Sequence, residues 1–327
     1  MIILAIETSC DETSVAILKN KKVLSNVTVS QILEQQKYGG VMPSLAAKLH
    51  IKNIQQVLSR ALFEAKISLA KVDYIAYTEK PGLIICLQIG KIMAQTLALY
   101  LNKPVFPCNH LEGHIYASLL DQKEEWTFPA LALIISGGHT QIYQVNNHSD
   151  FVLLGETLDD AVGECLDKSA ILLGYTYPGG PVIEKLALNG QNIYQLPFPK
   201  NDNSLDFSFS GLKSEVGRIV SSKKKSINVS DLACSLQHIL TKILVKKLRN
   251  AWLISQTRTV IIGGGVIANQ FLRNYLIEEI KKWDKKIEIF FPTVKYSTDN
   301  AAMIGILAYY KISLNLSKNT PTSTSGG

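Results

Sequence analysis

Ile2-Ile-Leu-Ala-Ile6, Thr8-Ser-Cys-Asp-Glu-Thr13 and Ser14-Val-Ala-Ile-Leu18 read as a strand, a polar turn and a strand running back. Ala130-Leu-Ala-Leu-Ile-Ile135, Ser136-Gly-Gly-His-Thr140 and Gln141-Ile-Tyr-Gln-Val145 repeat that order. Each pair is followed by a third strand, Val23 to Val29 and Phe151 to Leu154. A helix comes next in both places. One follows Pro43, with Leu45, Leu49, Ile54, Val57, Leu58 and Leu62 at helical spacing, and the other spans Leu158 to Leu173.

The echo continues. Val72 to Thr78 is a strand followed by Pro81-Gly82 and a helical run from Gln88 to Leu101. Thr259 to Ile262 is a strand followed by Gly263-Gly-Gly265 and a helical run from Ala268 to Ile280. Short strands, Pro104 to Phe106 and Ile287 to Phe291, precede closing helices at His110 to Leu120 and Asp299 to Tyr310. Two β-β-β-α-β-α-β-α halves predict a duplicated α/β fold with a cleft between the halves. Antiparallel opening strands argue against a plain Rossmann unit. The expected divisions are residues 1–124, residues 125–300 with an insertion at about 175–230, a closing helix at 301–318, and a disordered tail at 319–327.

Composition bounds the function. The chain has 327 residues, 46% of them hydrophobic. That is enough apolar material for a large core and excludes a disordered or disulfide-stapled mini-protein. Five scattered cysteines without a C-x-x-C pair point to reduced thiols. The first residues lack a basic leader and run into Glu7 and Asp11, and the reading finds no apolar run long enough to span a bilayer. A cytoplasmic protein with no membrane partner is therefore expected. The net charge of +7 permits a nucleic-acid partner without demanding one, because lysine dominates it. Lys223-Lys-Lys225 reads as a solvated loop, and His50, His148 and His238 receive no role.

His110-Leu-Glu-Gly-His114 is the sharpest local feature. Residues i and i+4 share a helix face, so both imidazoles can bind one metal ion. Glu112 faces away, which suits a zinc protease poorly. The equivalent corner of the second half carries Asp299, which is expected to face the histidines across the cleft. Two His and one carboxylate leave open positions suited to non-haem iron or zinc. The Gly-rich turns at 136–140, 177–180 and 263–265 suggest a nucleotide pocket, with no P-loop and no dinucleotide fingerprint. Asp11 and Glu12 are either a polar hairpin turn or a carboxylate pair that accepts a proton. Beside them the Cys10 thiol pKa is expected to rise. Phe207-Ser-Phe-Ser-Gly-Leu-Lys213 reads as a hydrophobic anchor.

Taken in order, Glu7-Thr-Ser-Cys-Asp-Glu-Thr13, Gly39-Gly-Val-Met-Pro43, His110-x-Glu-Gly-His114, Ser136-Gly-Gly-His-Thr-Gln141, Tyr177-Pro-Gly-Gly-Pro181, Phe207-Ser-Phe-Ser-Gly-Leu-Lys213, Gly264-Gly-Val-x-x-Asn269 and Thr298-Asp-Asn-Ala-Ala302 resemble the bacterial TsaD-type tRNA N6-adenosine threonylcarbamoyltransferases. The resemblance covers about residues 1–312 and implies an actin/sugar-kinase-like (ASKHA, ribonuclease H-like) fold. It implies transfer of a threonylcarbamoyl group from threonylcarbamoyl-AMP to N6 of adenosine 37 in tRNAs that read codons beginning with A. By motif, His110, His114 and Asp299 would hold a divalent metal, Fe2+ first, with Zn2+ or Mg2+ as the other candidates. Ile134, Ile135, Ser136, Gly137, Gly138, Asp167, Gly180, Glu184 and Asn269 would bind the adenylate, and Asp11 and Glu12 would line the metal site as catalytic groups. The implied partners are tRNA, a paralogous TsaB-type subunit and a TsaE-type small ATPase. Ser44, Lys48, Lys80, Ile85 and Ser297 depart from the family pattern, and none belongs to the metal trio. An ASKHA-type kinase and a non-catalytic scaffold are the alternatives.

Overall fold

The computed structural model describes residues 1–222 and 227–319. Lys223-Lys-Lys225 and residues 320–327 of the expected tail lie outside the described residues. The first half runs β1 (Ile2–Glu7), β2 (Glu12–Lys19), β3 (Lys22–Ser30), α1 (Ile32–Gln35), α2 (Pro43–Ala65), β4 (Tyr74–Lys80), α3 (Ile84–Leu101), β5 (Val105–Asn109) and α4 (His110–Tyr116). The second runs β6 (Ala130–Ile135), β7 (Thr140–Asn147), β8 (Asp150–Glu156), α5 (Val162–Leu172), α6 (Gly179–Ala187), α7 (Ser210–Ser221), α8 (Val229–Ser255), β9 (Thr259–Gly263), α9 (Gln270–Trp283), β10 (Glu288–Phe290) and α10 (Ala301–Asn319).

The two five-stranded sheets have one topology. Their orders are β3-β2-β1-β4-β5 and, read the same way, β8-β7-β6-β9-β10. In each, the first three strands are antiparallel and the last two lie parallel to the first. β1 and β6 are central and covered on both faces, which is why each reads as an unbroken apolar run. The edge strand β3 is buried mainly on one face and alternates instead.

Among the described residues the buried apolar side chains form three clusters. One lies on the outer face of each sheet. The third fills the space between the sheets, joining Ala5 and Leu18 to Ala132, Ile134 and Ile261 through Leu111, Ile115, Met303 and Ile304. The helix α10 follows the second sheet in sequence yet starts on the first. Its Ala301 N–H donates to Ser14 Oγ at 2.9 Å and its Ala302 N–H to Asn26 Oδ1 at 3.0 Å.

Several expectations shift. The buried stripe of α2 is Ala46, His50, Ile54, Val57, Leu58 and Ala61, so Leu45, Leu49 and Leu62 are only half-buried. Small Ala46 lets the helix approach closely enough for Gln31 Nε2 to reach its carbonyl. The helix expected from Leu158 begins only at Val162. Asp159 instead accepts hydrogen bonds from Ser208 Oγ and from the backbone and hydroxyl of Ser210, holding those residues in a turn. The segment read as an insertion contributes to the core, since Ile183, Phe207, Phe209, Leu212 and Val216 are fully buried there. The helix α3, at 18 residues, is long and apolar enough to cross a membrane by length and composition. That corrects the expectation from sequence that no apolar run is long enough to span a bilayer. Here its Cys86, Leu87, Gly90, Ala94, Leu97 and Ala98 are buried.

Gly155 is where β8 meets the segment before Phe207; a Cβ there would stand 2.4 Å from the Leu205 carbonyl oxygen. Gly155→Ala is therefore expected to cost about 1–3 kcal/mol in denaturant unfolding. Gly211→Ala, whose Cβ would meet only Pro199 at 3.7 Å on α7, should be neutral or stabilising by up to ~1 kcal/mol. Equal stabilities for the two variants would contradict this packing.

Candidate active site

The helix α4 begins where β5 ends, because the Asn109 side chain accepts from Leu111 N at 2.8 Å and Glu112 N at 3.1 Å. Its register sets both imidazoles on one face, with ring centroids 4.6 Å apart. Asp299 comes from just before α10. Its Oδ1 lies 3.1 Å from His114 Nε2 and 3.6 Å from His110 Nε2. One ligand atom from each of the three lies within 4.8 Å of the others. Burial opposes charge on His110, but the carboxylates of Asp299 and Glu7 outweigh it and push its pKa up to about 9. Burial likewise works against the Asp299 carboxylate, and the two histidines reverse the balance and hold it well below the usual range.

His114 is fully buried; its Nδ1 has no hydrogen-bond partner among the described residues, and its Nε2 faces only the Asp299 carboxylate, 3.1 Å away. An unsatisfied buried polar group is costly. Coordination of an ion by Nε2 would relieve part of that cost, and a two-imidazole, one-carboxylate donor set suits a divalent metal. The residues present therefore fit the group expected there. Glu112, as expected, faces away and pairs with Lys311.

Beneath His110 lies Glu7, fully buried, with Oε2 3.1 Å from His110 Nδ1. Sequence reading placed Glu7 only inside a turn motif, and its position at a strand end carries no local signal of this contact. Asp11 is buried, and Glu12 opens β2 with Ser30 Oγ 3.4 Å from its carboxylate. Burial, then the neighbouring Asp11 and Asp299, push the Glu12 pKa well above its ordinary value. Burial and the same acids raise the Cys10 thiol pKa, as the sequence suggested. His50 receives a structural task after all: its Nε2 lies 2.9 Å from Cys10 O and its Nδ1 2.8 Å from Thr13 Oγ1, tying α2 to this turn.

The opposite wall comes from the second half. Tyr177 reaches across the cleft and donates its hydroxyl to Asp11 Oδ2 at 3.3 Å. Gly137 and Gly138 are exposed, and a Cβ on either would meet nothing within 4 Å. The turn they form rests on α5, whose Gly163 and Glu164 N–H groups donate to Ser136 O and Gly137 O. Ile134 and Ile135 are fully buried strand residues, backbone and side chain alike, so they underlie the glycine turn without lining an open surface. His139, which the sequence reading left unassigned, has its pKa lowered by burial and then by His110 and His114, placing it within reach of the trio's charge.

The remaining candidates cap helices. Asp167 accepts Gly179 N–H at 2.6 Å at the start of α6, next to Gly180. Glu184 Oε1 accepts Gln270 N–H at 2.7 Å. Asn269 caps α9 by accepting Leu272 N–H at 2.9 Å, and donates to Gln237 Oε1 at 2.8 Å. The structure thus gathers Glu184 and Asn269 at one helix start and sets Asp167 and Gly180 at another. Of the departures from the family pattern, Ser297 is fully buried and donates to Thr293 O, whereas Ser44, Lys48 and Lys80 are exposed.

Comparison with known proteins bears on this site. A family model described as tRNA N6-adenosine threonylcarbamoyltransferase matches residues 22–306. The chain belongs to this family. It is therefore an enzyme, a transferase acting in tRNA modification, and the kinase and scaffold alternatives fall away. Curated relatives of that name include one from Mycoplasma capricolum, 46% identical over 96% of this chain and 99% of the relative. One from Mesoplasma florum is 47% identical over 95% and 99% of the two chains. Among solved structures, HypF from T. kodakarensis matches 95% of this chain and 47% of its own at a TM-score of 0.62 and 13% identity. A ROK hexokinase from Thermus thermophilus covers 96% of this chain and 99% of its own at a TM-score of 0.50 and 15% identity. These two show the actin/sugar-kinase-like fold.

Burial pushes the Asp167 pKa up from 3.8 to about 6 despite the hydrogen bonds from Gly179 and Gly180. The folded protein then binds this proton more tightly than the unfolded chain, so stability falls as pH rises between about 4 and 6. Asp167→Asn should raise the melting temperature at pH 7.5 and lose that advantage near pH 4. A melting-temperature difference independent of pH would contradict the assignment.

Proposed function

We propose that the chain transfers the threonylcarbamoyl group of threonylcarbamoyl-AMP to N6 of adenosine 37 in tRNAs reading codons that begin with A. The observation that carries this reading is the trio of His110, His114 and Asp299, two buried imidazoles and a half-buried carboxylate brought together from the two halves beside the acidic turn of Asp11 and Glu12. His110, His114 and Asp299 would hold a divalent metal, iron before zinc or magnesium. Such an ion supplies Lewis-acid polarisation of the carbamoyl carbonyl.

The chain's own groups divide the remaining work. Ser136, Gly137 and Gly138, carried by the strand end at Ile134 and Ile135, and the helix starts marked by Asp167, Gly180, Glu184 and Asn269 would hold the adenylate. The adenine N6 amine attacks the carbamoyl carbon. A C–N bond forms, the C–O bond to phosphate breaks, and AMP leaves as an anion. The amine must lose a proton. We assign that proton to Asp11, directly or through water, beside Glu12, whose pKa is pushed up by burial and then by Asp11. Tyr177 orients the Asp11 carboxylate from the opposite wall.

The reading includes a TsaB-type paralogous subunit, a TsaE-type small ATPase and a cytoplasmic setting where tRNA is found. Exposed Ile84, Ile92, Leu99 and Tyr100 along α3 are consistent with a protein partner. It also divides the chain into halves at 1–124 and 125–300, closed by the helix from 301 to 318.

The test is transfer of labelled threonine to tRNA by the reconstituted system. His110→Ala should lower transfer by about 10²-fold or more, and a chelator should reproduce that loss until metal is restored. Asp11→Ala should slow single-turnover transfer by at least ~10²-fold with saturating tRNA. Undiminished transfer in Asp11→Ala would remove that residue from the role. No label in the wild-type reaction would overturn the reading as a whole.

A further inference from the structure

Glu7 ends β1, at the centre of the first sheet, and its carboxylate is fully buried. Burying a carboxylate is expensive unless every oxygen is satisfied. Here Oε1 accepts the Ser9 N–H, and Oε2 accepts the Thr78 hydroxyl and lies 3.1 Å from His110 Nδ1. An ionised carboxylate only accepts, so Nδ1 keeps its proton, and Nε2 is the nitrogen that gives one up when His110 takes a metal. Nε2 is the nitrogen turned toward Asp299, 3.6 Å away. His114 has no counterpart to this arrangement, since its Nδ1 lacks a hydrogen-bond partner among the described residues. The two histidines of the pair are therefore held unequally.

We propose that Glu7 is a positioning residue of the metal site, fixing the ring plane and tautomer of His110 so that Nε2 is aimed before any ion arrives. The proposal rests on reading His110, His114 and Asp299 as that site. Glu7 acts through His110 and touches no reacting atom. Thr78 and Ser9 in turn fix Glu7, so an aimed ligand depends on two neighbouring parallel strands, β1 and β4. Outer partners of this kind are worth 10–100-fold in metal affinity in other sites.

The experiment is competition for Zn2+ between the full-length protein and a chromophoric chelator at fixed pH, with thermal melting recorded alongside. Glu7→Gln should weaken Zn2+ binding by about 10–100-fold. Introduced into His110→Ala, the same substitution should have no further effect, because the ring it orients is gone. A merely structural role would weaken both backgrounds by the same factor, and that result overturns the proposal. Should Glu7→Gln fail to fold, Thr78→Val keeps a β-branched strand residue and removes one donor from the carboxylate. It is expected to weaken binding several-fold in the wild-type background and not in His110→Ala. Unchanged affinity in whichever of these variants folds overturns the proposal. Failure of the underlying reading looks different: wild type would bind no Zn2+, or His114→Ala would bind as tightly as wild type, and the proposal would fall with it.

Discussion

A two-turn helix is too short to persist by itself, yet the candidate metal-binding pair sits on one seven residues long. The close packing that holds α4 is the constraint on which the rest depends. At one side Gly263 ends β9, and a Cβ there would stand 2.5 Å from the His114 carbonyl oxygen. At another, Gly113 packs so tightly on α10 that a Cβ would fall 2.9 Å from Ile304 Cδ1. Asn109 caps the start and Lys311 pairs with Glu112. The second sheet and the closing helix thus grip the helix that the first sheet presents. Moving one half relative to the other would move His114 against Asp299, so the interface between halves and the ligand geometry are one arrangement.

The duplicated frame makes two unlike walls from equivalent turns. Between β1 and β2 the turn carries Asp11 and leads into Glu12, a pair of acids close enough for Asp11 to raise the pKa of Glu12. Between β6 and β7 the turn carries Gly137 and Gly138, with open space where side chains would be. Side-chain acidity on one wall suits proton transfer and backbone approach on the other suits an anionic ligand. Gly264 shows how tightly this second wall is built. Its φ of +96° and the 2.4 Å gap a Cβ would have to Ile135 O admit no other residue without strain.

The strands were readable because a central strand leaves an apolar run and an edge strand an alternation, and both patterns are local. The equivalence of the two halves followed from the internal repeat, and so did the pairing of Asp299 with the histidines, whereas the order of strands within each sheet came only with the structure. Legibility failed wherever a distant group set the outcome. Asp159 stays out of α5 because it binds Ser208 and Ser210. Asp167, Glu184 and Asn269 look alike in sequence as polar residues near glycines or helices, and only contacts such as Glu184 with the Gln270 amide reveal them as caps.

By itself the sequence determined the element types, the duplication and the chemical identity of the three candidate ligands, because periodicity and donor chemistry belong to the residues themselves. The tertiary structure alone decided how those ligands are aimed. Glu7 reaches Thr78 across 71 positions and His110 across 103. Which nitrogen of a buried imidazole is left free is set by such contacts, and no local pattern encodes them.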